Sequence, residues 1–175
     1  IGDYMKKSVL KIFCLLTYIL ISQFSFANNN FKNYKGDVKV MKKLFLCSYF
    51  SGVKDTFKDF MNNDTKGKKV LFIPTANIDE ETKFLIDETK EVFKSLEMEV
   101  EDLEISKLDE KTIKNKIEKT NYLYVGGGNT FYLLEELKRK HLIDFIKNRV
   151  NSGMVYIGES AGAIITSKDI EYSDL

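Results

Sequence analysis

The chain has 175 residues, with 27 Lys and Arg against 26 Asp and Glu and a net charge of +1. That length suits one ordinary domain, and 43% hydrophobic with 30% charged residues is a globular composition. The charge balance argues against a nucleic-acid binder. Two cysteines, Cys14 and Cys47, and one histidine, His141, cannot build a disulfide framework, a cysteine zinc site or a multi-histidine metal site, so no metal or other cofactor is expected.

Residues 1–40 stand apart from the rest. Met5, Lys6, Lys7 and Lys11 precede an apolar run from Ile12 to Ile21, and small residues Ser25 and Ala27 follow. This is the pattern of a secretory signal peptide over residues 5–27, with 28–39 as a polar linker. The alternative is that residues 1–40 are a non-native upstream extension and Met41 is the true start, because Leu44-Phe45-Leu46 opens a core strand at once. The first reading implies export and the second a cytoplasmic protein. The apolar run is too short for a stable membrane span.

From residue 41 the pattern alternates. Lys43 to Phe50 reads as strand one, and Val53, Phe57, Phe60 and Met61 have helical spacing. Val70 to Ile73 is a near-continuous apolar strand ended by Pro74, as in sheets buried on both faces. Asp79 is placed to cap a helix running to about Leu96, with Asp79, Glu80 and Glu81 in its first turn and Phe84, Leu85, Val92, Phe93 and Leu96 facing inward. Met98 to Leu103 alternates as strand three, Ile113 and Ile117 mark a short helix, and Tyr122 to Val125 is strand four. Thr130 to Arg139 and Leu142 to Val150 are helical, Met154 to Ile157 is strand five, and Ala161 to Thr166 begins another helix. Such alternation gives βαβ units and a parallel sheet covered by helices. Ligands in these sheets bind beyond the carboxyl ends of the strands, here just after Ile73, Val125 and Ile157.

Two of those places carry chemistry. Gly158-Glu159-Ser160-Ala161-Gly162 is a G-x-S-x-G sequence between a strand and a helix. The sharp turn needs the glycines, presents the Ser160 hydroxyl, and leaves the Ala161 N–H able to donate to an oxyanion. The bland alternative is a glycine turn with a capping serine. Gly126-Gly127-Gly128-Asn129-Thr130 follows strand four. Its N–H groups could supply a second oxyanion donor, best at Gly127, or hold a phosphate, with Gly128 and Asn129 as further substrate contacts. The spacing matches neither nucleotide-binding glycine motif, and the bland reading is a tight turn with Asn129 capping the next helix.

Met41-Lys-Lys-Leu-Phe-Leu, Ile73-Pro-Thr-Ala, Val125-Gly-Gly-Gly-Asn-Thr-Phe-Tyr-Leu-Leu and Ile157-Gly-Glu-Ser-Ala-Gly-Ala together resemble the peptidase E family, from about residue 41 onward. These serine peptidases are related to aspartyl dipeptidase and, more distantly, to cyanophycinase. The resemblance implies a three-layer αβα domain over residues 41–175 with a mainly parallel sheet, like the class I glutamine amidotransferases. It implies a Ser-His-acid triad acting on small peptides, with Asp-Xaa dipeptides as candidates. By position Ser160 would be the nucleophile, and Gly127 and Ala161 the oxyanion donors.

In the family the catalytic histidine follows the serine by several tens of residues, whereas only 15 residues follow Ser160 and none is histidine. His141 lies eleven positions beyond Thr130, about 16 Å along a helix that runs away from the site. The expectation is therefore an amino-terminal fragment whose carboxyl-terminal part, with the histidine, is missing. Asp174 is a loose match to the acid, and Glu159 is expected to shape the mouth of the site and to repel or orient substrate. Cys47 reads as a small buried apolar residue. Two alternatives stand beside the peptidase: a cyanophycinase-like or other serine acyl hydrolase, and a non-catalytic remnant. The sequence says nothing about oligomeric state.

Overall fold

The computed structural model describes residues 42–78 and 83–168. The signal-peptide reading, the capping role of Asp79, the acidic turn at 79–81 and the assignment of Asp174 all lie outside the described residues.

Five strands form one sheet: β1 (Lys43–Cys47), β2 (Lys69–Ile73), β3 (Glu99–Asp102), β4 (Tyr122–Val125) and β5 (Val155–Glu159). Their spatial order is β1-β5-β4-β2-β3, and every neighbouring pair is parallel. The helices are α1 (Lys54–Phe60, after a 3-10 turn at Ser51–Val53), α2 (Lys83–Ser95), α3 (Glu110–Glu118), α4 (Thr130–Arg139), α5 (Ile143–Asn151) and the short α6 (Ala161–Ile164). Among the described residues no helix is long and apolar enough to cross a membrane.

Alternation along the central strands divides the core in two. Leu71, Ile73, Leu123, Val125 and Tyr156 meet Ile113 and Ile117 of α3, Leu133 and Leu137 of α4, and Ile146 and Val150 of α5. Val70, Phe72, Tyr124, Val155 and Ile157 face the other way, toward Phe57 of α1 and Phe93 of α2. The result is the expected three-layer αβα arrangement, with both faces buried along the central strands β2, β4 and β5. β1, expected as a core strand, is an edge strand whose Leu44 and Leu46 are exposed and whose Phe45 alone is buried. The second layer is aromatic: Phe50 stacks on Phe93 at 4.6 Å and Phe72 on Tyr124 at 4.4 Å between ring centroids. Offset contacts of this kind add to the area they bury.

Two local expectations are corrected. Phe84 does not face inward; it is 63% exposed. Nine positions at about 100° each put it half a turn round α2 from the buried Phe93, so both cannot share the core face. The inward row is Ile86, Thr89 and Phe93. His141 lies not within a helix but in the reverse turn between α4 and α5, at φ 49°. There its ring Nδ1 pairs with Glu110 Oε2 at 2.8 Å.

Candidate active site

The elbow is built by close backbone approach. Ser160 sits at φ 47°, ψ −109°, between the end of β5 and the start of α6, and its side chain is exposed. Few side-chain-bearing residues adopt this conformation, and holding one there costs roughly 1–3 kcal/mol. The neighbours show why the strain is tolerated. A Cβ on Gly158 would lie 2.5 Å from the Gly162 carbonyl oxygen, and one on Gly162 would lie 2.0 Å from that of Val125. The Ser160 N–H donates to the Cys47 carbonyl at 2.9 Å, and the Ser160 carbonyl accepts from Ala163 and Ile164. Tyr156 adds a hydroxyl bond to the Gly162 carbonyl at 2.7 Å, and burial pushes its pKa up so that it remains a donor.

The glycine loop lies against this elbow. A Cβ on Gly127 would be 3.1 Å from Ser160 Cβ and 3.6 Å from its Oγ, so the bare backbone of Gly127 adjoins the hydroxyl. Gly128 is at φ 133°, and a Cβ there would meet the Ala76 carbonyl oxygen at 2.1 Å. The loop is pinned at both ends: Gly126 N–H donates to Ile73 and Asn129 N–H to Ala76. The N–H groups of Gly127 and Gly128, between those anchors, are not drawn into that pairing. The Asn129 side chain caps α4 by accepting from Tyr132 N–H at 2.9 Å. Its carboxamide therefore serves the helix, the bland alternative weighed above.

Glu159 is not at the mouth. It is buried, with Oε1 accepting from the Phe50 N–H at 3.2 Å and Oε2 from the Tyr124 hydroxyl. Burial, and then the Glu159 charge, push the Tyr124 phenol well above its usual range, so it stays a donor. The Cys47 thiol is likewise pushed up to about 12, mainly by burial and then by Glu159, which removes it as a nucleophile at neutral pH. Sequence reasoning missed Tyr124 and the Phe50 N–H. Two phenols in a short apolar strand, Tyr122 and Tyr124, were the only signal for the first, and a backbone group leaves none.

A cavity of about 210 Å³ opens beside Ser160. Glu159, Gly126, Gly127 and Gly128 line it with Tyr124 and Phe72, and α2 contributes Leu85 and Ile86. The structure thus brings Ser160 and the glycine loop to one cavity at the carboxyl ends of β4 and β5. Ala161, the other sequence-derived donor, is the first residue of α6 and is buried. His141 belongs to the opposite layer, that of α3 to α5, and does not line the cavity.

Comparisons with known proteins identify the family and the fold. The model of peptidase family S51 matches residues 44–175. An uncharacterized peptidase of Listeria monocytogenes serovar 1/2a is 46% identical over 132 residues, covering 75% of this chain and 64% of that protein. One of Pasteurella multocida is 42% identical over 132 residues, covering 75% and 63%. A peptidase E of Actinobacillus pleuropneumoniae serotype 5b is 37% identical over 107 residues, covering 61% and 44%. A crystal structure from Listeria monocytogenes EGD-e, described as a candidate peptidase E, superposes with a TM-score of 0.72 at 44% identity, covering 75% of this chain and 65% of that one. The chain spans a little under two thirds of the length of the first of these relatives. A match over residues 44–175, in which the strained serine elbow and the glycine loop both fall, places the chain in peptidase family S51.

Proposed function

We propose that the protein is a serine-type peptidase that hydrolyses short peptides through Ser160. The observation that carries this reading is the exposed Ser160 hydroxyl on a strained elbow, directly against the Gly127 backbone. Ser160 Oγ bonds to the scissile carbonyl carbon while its proton passes to a base. The carbonyl oxygen takes up negative charge, and the N–H groups of Gly127 and Ala161 are the donors proposed for it. The C–N bond then breaks, the amine leaves with the proton from the base, and water repeats the sequence on the ester. The base comes from outside the described residues: no histidine lines the cavity, and His141 pairs with Glu110.

Ser160→Ala tests the reading. Hydrolysis of dipeptides should fall to background while the circular dichroism spectrum and unfolding midpoint stay close to those of the parent. A fluorophosphonate probe should label the parent at Ser160 and leave the variant unlabelled. Unchanged hydrolysis in the variant removes the nucleophile. A folded parent that neither hydrolyses peptides nor takes the probe is the non-catalytic domain.

A further inference from the structure

Ser160 stands just past the point where strand pairing holds the backbone of β5. On the β4 side the pairing ends at Val125 with Gly158, where β4 gives way to the glycine loop. On the β1 side it ends at Cys47 with Glu159. Beyond those limits the Glu159 side chain takes over. Its Oε1 accepts from the Phe50 N–H at 3.2 Å, in the loop after β1, and its Oε2 accepts from the Tyr124 hydroxyl on β4. One carboxylate thus ties β5 to both flanking elements at the residue before the elbow.

Packing alone does not call for a carboxylate at this place. Glu159 is buried, and its partners Phe50 and Tyr124 belong to the aromatic layer. An apolar side chain would fill that space without the cost of burying a charge. What the carboxylate adds is a pair of directional, charge-assisted hydrogen bonds, stronger than neutral ones. They act next to a residue held at φ 47°, a backbone conformation that persists only where its surroundings over-determine it.

We infer that Glu159 is a positioning residue: through Phe50 and Tyr124 it fixes the elbow so that the Ser160 hydroxyl and the Ala161 N–H stand correctly against Gly127. The inference rests on the acyl-transfer reading of Ser160 and adds a residue that the reaction depends on. Both Glu159 oxygens are engaged by Phe50 and Tyr124, so the side chain acts through the backbone it shares with Ser160. A nucleophile misplaced by about 1 Å loses on the order of 100-fold in rate, which makes such a brace visible in kinetics.

The test measures kcat, KM and the rate of fluorophosphonate labelling for Glu159→Gln, Glu159→Asp and Glu159→Ala, each per folded molecule. Gln keeps the shape without the charge: its carbonyl accepts from the Phe50 N–H, and its NH2 donates to the Tyr124 hydroxyl oxygen, which also accepts. Asp keeps the charge but falls one methylene short of both donors. Gln should keep kcat within about fivefold of the parent, Asp should lose roughly 20-fold or more, and Ala should lose on the order of 100-fold. KM should hardly move, because what is lost is the placement of the nucleophile. Labelling should fall in step with kcat, since the probe reads Ser160 without a peptide.

Ile117→Val on α3, in the opposite layer, is the control: it should lower the unfolding midpoint and leave kcat unchanged. Should Glu159→Ala fail to fold, the order of Gln above Asp decides the matter. Parent kcat in Glu159→Asp, Asp equal to or above Gln, or a loss confined to KM each overturn the inference. Labelling of the parent at Ser160 alongside such a result leaves the nucleophile standing and removes only the positioning role. A parent that neither hydrolyses peptides nor takes the probe removes both.

Discussion

Tyr124 on β4 donates its hydroxyl to Glu159 on the neighbouring β5, and Glu159 is the residue immediately before Ser160. The pair joins the aromatic layer to the elbow, because the Tyr124 ring also stacks on Phe72. Tyr124→Phe keeps the ring and removes the donor from a buried carboxylate. Leaving a buried polar group short of a partner costs about 1–3 kcal/mol, and urea unfolding should show a loss in that range. Phe72→Leu, which leaves the hydroxyl bond in place, should cost stability through the lost stacking on Tyr124.

Ser160 stability and activity should move in opposite directions. Ser160→Gly relieves the φ 47° backbone, and after the entropy that glycine gains in the unfolded chain it should stabilise the fold by about 1 kcal/mol while abolishing hydrolysis. Ser160→Ala keeps a Cβ and should leave stability within about 0.5 kcal/mol. Thermal unfolding of the two variants side by side checks this; equal midpoints would show that the elbow stores no strain.

The glycines divide into those with room and those without. Gly67 is at φ 68° with nothing within 4 Å of an added Cβ, so Gly67→Ala should cost only the backbone term, about 1 kcal/mol. Gly162→Ala would place Cβ 2.0 Å from the Val125 carbonyl, where β4 must move or the elbow must open. That variant should lose several kcal/mol, in line with overpacked cores, or give no folded protein. Comparative urea melts and soluble yield decide it.

Cys47 should be nearly inert. With its thiol pushed up to about 12, alkylation by iodoacetamide at pH 8, followed by mass spectrometry of its peptide, should run at least 100-fold below a free cysteine. The linkage sign follows from the same shift. Between the ordinary value of 9.0 and about 12 the folded state holds a proton that the unfolded state has lost, so stability falls as pH rises through that window. Cys47→Ala should therefore show a shallower alkaline loss of stability than the parent.

Much of the framework was legible in the residues. Tyr122 to Val125 and Thr130 to Arg139 have the bounds that the sequence pattern assigns, because an apolar strand four residues long is sharply closed by glycines and Asn129 starts the helix with its own side chain. The elbow and the glycine loop were legible as neighbours for a topological reason: both follow strands of one parallel sheet, and such ends meet on one edge. Phe84 was misplaced because an apolar residue near a helix start fits more than one face until the packed face is known. Glu159 was misjudged because charge suggests exposure, and only its contacts with Tyr124 and Phe50 show otherwise.

Sequence alone determined the alternation of elements and the identity of the turn residues, since spacing and side-chain size act within a few positions along the chain. Tertiary structure decided which strand ends became neighbours, which side of the sheet became aromatic, and that a carboxylate lies buried behind the serine. Those outcomes depend on groups dozens of residues apart, Phe50, Tyr124 and Glu159, whose meeting is set by the strand order β1-β5-β4-β2-β3 and by no local pattern.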